Sequence, residues 1–201
     1  MLSHKHKCIF IHIPKTAGQS IEQSLDPKAF AARGQGIYGH QNLLMGNYPH
    51  FPEYFKFTVV RNPWDRVLSA YLYDISQANN GFTFDSRKFI NNHLGPTRDG
   101  FCQFVTRYLD KLTSNLLRLH YIPQYKWIST VKNFDYVCRF ETLQEDFNII
   151  CDKLGIPRRQ LPHVNKSGPA RDYKEYYNDA AKEEIACRYN IDITTLNYKF
   201  S

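Results

Sequence analysis

Residues 8–13 (CIFIHI) are β-branched and apolar, save for His12, and stop at Pro14. A short run of this kind predicts a buried strand. Residues 55–60 (FKFTVV) and 134–140 (FDYVCRF) predict a second and a third strand. Between the strands the period changes. Residues 18–25 (GQSIEQSL) predict a short helix ending near Pro27. Asn62-Pro63 opens another, with Asn62 as N-cap, Pro63 in the first position and Asp65 in the first turn. Val67, Leu68, Tyr71 and Leu72 supply its apolar stripe. Residues 26–54 are irregular and rich in Gly and Pro, and 85–122 predict helical pieces broken by Gly95-Pro96 and Gly100. Thr142-x-x-Glu145 reads as a capping box before a helix ended by Gly155. After a loop over 156–171, Asp172-x-x-Glu175 predicts the cap of a last helix striped by Tyr173, Tyr176, Tyr177 and Ala180. Strands alternating with helices predict an α/β layer fold with a parallel sheet.

Composition adds boundaries. The chain has 201 residues, 42% hydrophobic and 22% charged, which excludes a disordered or fibrous chain and fits a single domain over 1–201. No apolar run is long enough to span a bilayer. The net charge of +7 points to an acidic partner: nucleic acid, anionic polysaccharide, a membrane surface or a phosphorylated ligand. Five cysteines without Cys-x-x-Cys spacing make neither a disulfide framework nor a zinc site, so buried free thiols are expected and no metal.

Two segments carry candidate chemistry. The first, Ile13-Pro14-Lys15-Thr16-Ala17-Gly18-Gln19-Ser20, joins a strand to a helix. Such a junction presents backbone N–H groups and the positive end of a helix dipole to an anion. Gly18 permits close backbone approach, Thr16 and Ser20 add hydroxyls, and Lys15 adds a mobile charge. The lysine precedes the glycine, unlike the nucleotide-triphosphate loop. The second runs from Val60 to Tyr71. Arg61 ends a strand and Ser69 lies two helical turns beyond the Asn62 cap, so both can face one phosphate monoester. Trp64 and Arg66 are expected to pack or to sit on the surface. An ordinary βα turn and a strand-end salt bridge are the plain alternatives.

Together these segments resemble the 5′-phosphosulfate loop and the 3′-phosphate motif of sulfotransferases that use 3′-phosphoadenosine 5′-phosphosulfate (PAPS). The nearest resemblance is to carbohydrate sulfotransferases of the Golgi type, including heparan 2-O-sulfotransferases and bacterial relatives. Residues 13–20 match the family's Ile-Pro-Lys-Thr loop, and 61–71 match its Arg-(Asn/Asp)-Pro-x-x-Arg-x-x-Ser-x-Tyr pattern. Softer likeness extends through Arg139-Phe140-Glu141 and residues 161–167.

The resemblance implies a P-loop, nucleotide-kinase-like three-layer fold with a central parallel sheet. It implies transfer of the PAPS sulfuryl group to a hydroxyl, on a carbohydrate in the nearest relatives, with release of 3′-phosphoadenosine 5′-phosphate (PAP). Lys15, Thr16, Ala17, Gly18, Gln19 and Ser20 then hold the 5′ end of the donor, and Arg61 and Ser69 hold its 3′-phosphate. A loop carrying Lys166, Ser167 and Arg171 closes over the nucleotide. His40, in Tyr38-Gly39-His40, matches the family's Gly-His and becomes the general base, with Lys15 as the second catalytic group. Glu22, on the helix after the loop, is the alternative base; the plain reading of an exposed Glu there is surface charge. His12 reads as structural, and His50, His93, His120 and His163 are weaker candidates. Neither nucleic acid nor a membrane span is implied. The expected setting is cytoplasmic, or else the lumenal domain of a trimmed Golgi-type enzyme. Two rivals remain open: a P-loop phosphotransferase and a basic polyanion-binding module without catalysis.

Overall fold

The computed structural model describes residues 1–27, 52–79, 94–112, 115–131, 133–162 and 172–201. These divide into two compact units, Met1–Arg61 with Gln124–Asn165 and Asn62–Pro123 with Lys166–Ser201. His40, Lys166, Ser167 and Arg171, like His50, His93 and His163, lie outside the described residues.

The first unit is built on a four-stranded sheet in the order β1 (Leu2–Ser3), β2 (Cys8–Ile11), β3 (Phe55–Val60), β4 (Tyr136–Arg139). β1 runs antiparallel to β2, whereas β2–β3 and β3–β4 are parallel. All four residues of β2 and the last four of β3 are buried. That is why β2 reads as an unbroken apolar run and why Thr58 of β3 is buried along with its apolar neighbours. One sheet face, Cys8, Phe10, Phe57, Val59 and Cys138, packs on Ile21 and Leu25 of α1 (Gly18–Leu25) and on Phe147, Ile150 and Cys151 further along. The register sets Phe10 beside Phe57, with ring centroids 5.0 Å apart.

A short helix, Gln124–Ile128, also belongs to this unit, as does a longer one at Leu143–Lys153. The expected capping box does not form there. Thr142 makes no side-chain cap, and its hydroxyl donates to Asp146 at 3.0 Å instead. The Asp146 carboxylate also accepts from the Arg139 N–H at 2.6 Å and the Tyr136 hydroxyl at 2.8 Å, which ties helix to strand. The end is as expected: Gly155 adopts φ +64°, and the Ile156 N–H reaches back to the Cys151 carbonyl at 3.0 Å.

The second unit is helical. Its first element, α2 (Pro63–Asn79), starts on the expected cap, with the Trp64 N–H donating to the Asn62 side chain at 3.1 Å. Val67, Leu68 and Tyr71 are buried with Phe101, Phe104, Tyr121, Tyr177 and Tyr189. Gly100 does not break a helix. It sits inside α3 (Arg98–Gln103), where any Cβ would collide with the Leu94 carbonyl. The chain continues through a π-helical turn at Phe104–Tyr108 and reaches α4 (Asn115–Tyr121).

With α5 as Gln124–Ile128 and α6 as Leu143–Lys153, the C-terminal helices are α7 (Asp179–Arg188) and α8 (Asn190–Thr195). The expected single helix capped by Asp172 is replaced. The Asp172 carboxylate accepts from the Lys174 N–H at 3.0 Å and starts only a 3₁₀ turn, Tyr173–Tyr176. The cap of α7 falls to Asn178, which accepts from the Ala181 N–H at 2.8 Å. Asp and Asn favour such local bonds equally, so a cap pattern fixes a turn but not which turn continues. Four thiols are buried, as expected, but Cys187 is exposed.

Candidate functional site: a strand–helix loop and the strand end beside it

Between β2 and α1 the chain turns sharply. Lys15 and Ala17 adopt φ values of +70° and +64°. Left-handed backbone costs a residue with a Cβ roughly 1–2 kcal/mol, and such cost concentrates at ligand-binding loops. Thr16 between them is fully buried, and its hydroxyl donates to the Ile13 carbonyl at 2.9 Å. That proton is therefore committed to holding the loop. Ala17 stands at the N-cap of α1 with no side-chain acceptor to offer. The Ser20 N–H donates to the Ala17 carbonyl at 3.0 Å, and the start of α1 carries the positive end of the helix dipole. Ser20 is buried, while Lys15, Ala17 and Gln19 are partly exposed.

Gly18 is required for a reason the sequence did not give: a Cβ there would run into the His12 imidazole. His12 in turn places Nδ1 3.4 Å from the Glu22 carboxylate. Glu22 is only 7% exposed. It is a buried carboxylate beside the His12 ring and 3.9 Å from the Met1 ammonium, rather than surface charge.

Arg61 follows the last residue of β3, the strand beside β2. Its Nη1 donates to the Lys15 carbonyl at 3.1 Å. Its guanidinium carbon lies 3.9 Å from the centre of the Phe140 ring. Its own peptide groups are held by one side chain: the Arg61 N–H donates to Gln124 Oε1 at 2.9 Å, and Gln124 Nε2 donates to the Arg61 carbonyl at 2.8 Å. Gln124 is fully buried. Sequence reasoning missed it, because one Gln after a Pro carries no periodic or motif signal.

Lys15, Thr16, Ala17, Gly18, Gln19, Ser20 and Arg61 therefore belong to one unit. Ser69 belongs to the other, on α2, where it is 7% exposed. On the same helix Arg66 is wholly buried. It donates to the carbonyls of His120 at 3.1 Å and Ile122 at 2.6 Å. Trp64 is buried as well, its indole N–H donating to the Lys182 carbonyl at 3.1 Å. Asp74, also fully buried, accepts from the Tyr121 hydroxyl and pairs with His120 Nδ1, both at 2.9 Å. Burial and the Asp74 charge push the Tyr121 phenol well above its ordinary range. Among the described residues no three His, Cys, Asp or Glu side chains converge as a metal-binding group, and no helix is long and apolar enough to cross a membrane.

A model of the sulfotransferase family matches residues 1–199. Carbohydrate sulfotransferase 9 of Homo sapiens is 23% identical over 96% of this chain and 52% of its own length. Carbohydrate sulfotransferase 14 of Mus musculus is 24% identical over 92% of this chain and 52% of its own length. The chain thus spans about half the length of these curated relatives. No solved structure matches it.

Proposed function

We propose that this chain, which belongs to the sulfotransferase family, moves the sulfuryl group of PAPS onto a hydroxyl of a carbohydrate acceptor. The observation that carries the reading is the 3.1 Å bond from Arg61 to the Lys15 carbonyl. It joins the ends of two adjacent parallel strands, so a lysine-bearing anion loop and an arginine stand together at the carboxyl edge of the sheet. In open α/β sheets, ligands bind outside that edge. The names of the two relatives support a carbohydrate acceptor. In this reading residues 1–201 act as one domain of the P-loop, nucleotide-kinase-like three-layer type.

PAPS supplies an electrophilic sulfur and a nucleotide phosphate as leaving group. The acceptor oxygen attacks sulfur in line as the sulfur–oxygen bond to the phosphate breaks. Lys15 and the N–H groups at the start of α1 stabilise the charge that grows on the departing phosphate oxygen. Arg61 and Ser69 hold the 3′-phosphate, and Lys166, Ser167 and Arg171 close over the nucleotide. His40 takes the hydroxyl proton. Glu22 is the weaker base, because its carboxylate already lies against His12.

Calorimetric titration with PAP, ATP and a sulfated polyanion separates this from its rivals. PAP binding without an ATP response supports it. ATP turnover assigns a phosphotransferase, and polyanion binding alone assigns a binding module. Labelled PAPS with a glycan panel, read by mass spectrometry, then identifies the acceptor.

A further inference from the structure

The peptide groups on both sides of Arg61 lie just beyond the β3–β4 ladder, whose last pair is Val60 and Arg139. Buried backbone groups at such a point need partners. Gln124 supplies both, accepting from the Arg61 N–H at 2.9 Å and donating to its carbonyl at 2.8 Å. One side-chain amide thereby extends the ladder by a residue, in place of a strand. Gln124 is 0% exposed, and a buried amide is tolerated where its polar atoms are bonded.

This consumes rotational freedom at a residue where freedom matters. An Arg side chain has several rotatable bonds, and holding them in one geometry opposes ligand binding. Arg61 is fixed at its backbone by Gln124, along its plane by Phe140 and at its tip by the Lys15 carbonyl. The Lys15 carbonyl belongs to a residue at φ +70°, so its orientation depends on a partner that stays in place.

We propose that Gln124 is a positioning residue of the donor site: it fixes Arg61 for the 3′-phosphate and, through Arg61, holds the Lys15 turn. This rests on the donor reading given above. Gln124 touches neither nucleotide nor reacting atoms.

The test compares the affinities of PAP and AMP, which differ only at the 3′-phosphate, in wild type and in Gln124→Met, a variant of similar shape without hydrogen bonds. Two lost hydrogen bonds lead us to expect PAP affinity to fall about tenfold, with AMP affinity changed less than threefold. In an Arg61→Ala background, adding Gln124→Met should change the PAP-to-AMP preference less than twofold, since the effect passes through Arg61. Gln124→Glu keeps an acceptor for the Arg61 N–H and loses the donor to its carbonyl, so it should fall between wild type and Gln124→Met. It also serves if Gln124→Met does not fold.

A folded variant that keeps the wild-type preference overturns the proposal and leaves Gln124 a core residue. Hydrogen exchange without nucleotide gives an independent reading: Gln124→Met should speed exchange at the Arg61 amide, and unchanged exchange also overturns the clamp. A wild type that does not prefer PAP over AMP, with Arg61 exchange accelerated in the variant, overturns the donor reading instead.

Discussion

The two units offer two different settings for a charged side chain. In the helical unit Arg66 and Asp74 are fully buried and bonded inward, to the His120 and Ile122 carbonyls and to His120 and Tyr121. In the sheet unit Lys15 is partly exposed on a left-handed backbone, and Arg61 is partly exposed at a strand end. A charge bonded inward serves architecture. A charge kept near the surface, on backbone that costs energy to hold, is what a transient anionic ligand requires. The comparison warns against reading motif residues alike. Arg61 and Arg66 stand five positions apart in one pattern, and the structure gives them different work.

The largest expected effect tests the architectural side. Arg66→Ala leaves two buried carbonyls without their donor and opens a cavity. Each stranded group costs about 1–3 kcal/mol, so a loss of roughly 3–5 kcal/mol is expected in urea unfolding. A variant with unchanged stability but no activity would move Arg66 to the chemical side and break the contrast.

Next comes Lys15→Ala. Its charge acts most strongly when the leaving oxygen becomes anionic, so kcat should fall roughly 10²–10³-fold while PAP affinity falls less and the melting temperature stays within about 2 °C. Near-normal kcat would remove Lys15 from the mechanism. Arg61→Ala follows with a smaller effect: PAP affinity should drop about tenfold or more, the usual worth of a charged hydrogen bond, and the preference for PAP over AMP should vanish. Ser69→Ala should move the same preference less, since a hydroxyl carries no charge. If Arg61→Ala keeps that preference, the 3′-phosphate assignment fails.

The same contrast explains what was legible beforehand. Strands β2 and β3 and helices α1 and α2 stand where their patterns placed them, because two-sided burial and a good cap leave strong local signals. The turn over residues 13–20 was legible as a strand–helix junction. β1 was not, since two residues, Leu2 and Ser3, are shorter than any period. The work of Arg66, Asp74 and Gln124 was not legible either. Burial of these polar side chains is decided by partners 46 or more positions away, such as His120 for both Asp74 and Arg66, and no local pattern records them. The burial of Glu22 was not legible for a related reason: it lies beside His12, whose ring occupies the space that a Cβ on residue 18 would fill.

The smallest effect concerns the thiols, and it tests whether the sheet unit's core is as closed as its burial says. Cys8, Cys138 and Cys151 all lie in that core, while Cys187 in the helical unit is exposed. Burial pushes the Cys8 thiol up to about 11 and the Cys138 thiol further. At pH 9 only about one Cys8 thiol in a hundred is then the reactive thiolate. A thiol reagent at pH 8 should label one site quickly, and Cys187→Ser should abolish that phase. The other four should react only with denaturant. The sign of the stability effect follows. The folded state keeps the Cys8 proton above pH 9, where the unfolded thiol loses it, so this contribution is present below pH 9 and is lost as pH rises through about 11. Unfolding midpoints in urea should therefore decline across that window. A Cys8→Ala variant should show a shallower decline, even if it is less stable at pH 7. If Cys8 or Cys138 labels as fast as Cys187 in the folded protein, the core of the sheet unit opens on the labelling timescale and its burial does not protect these thiols.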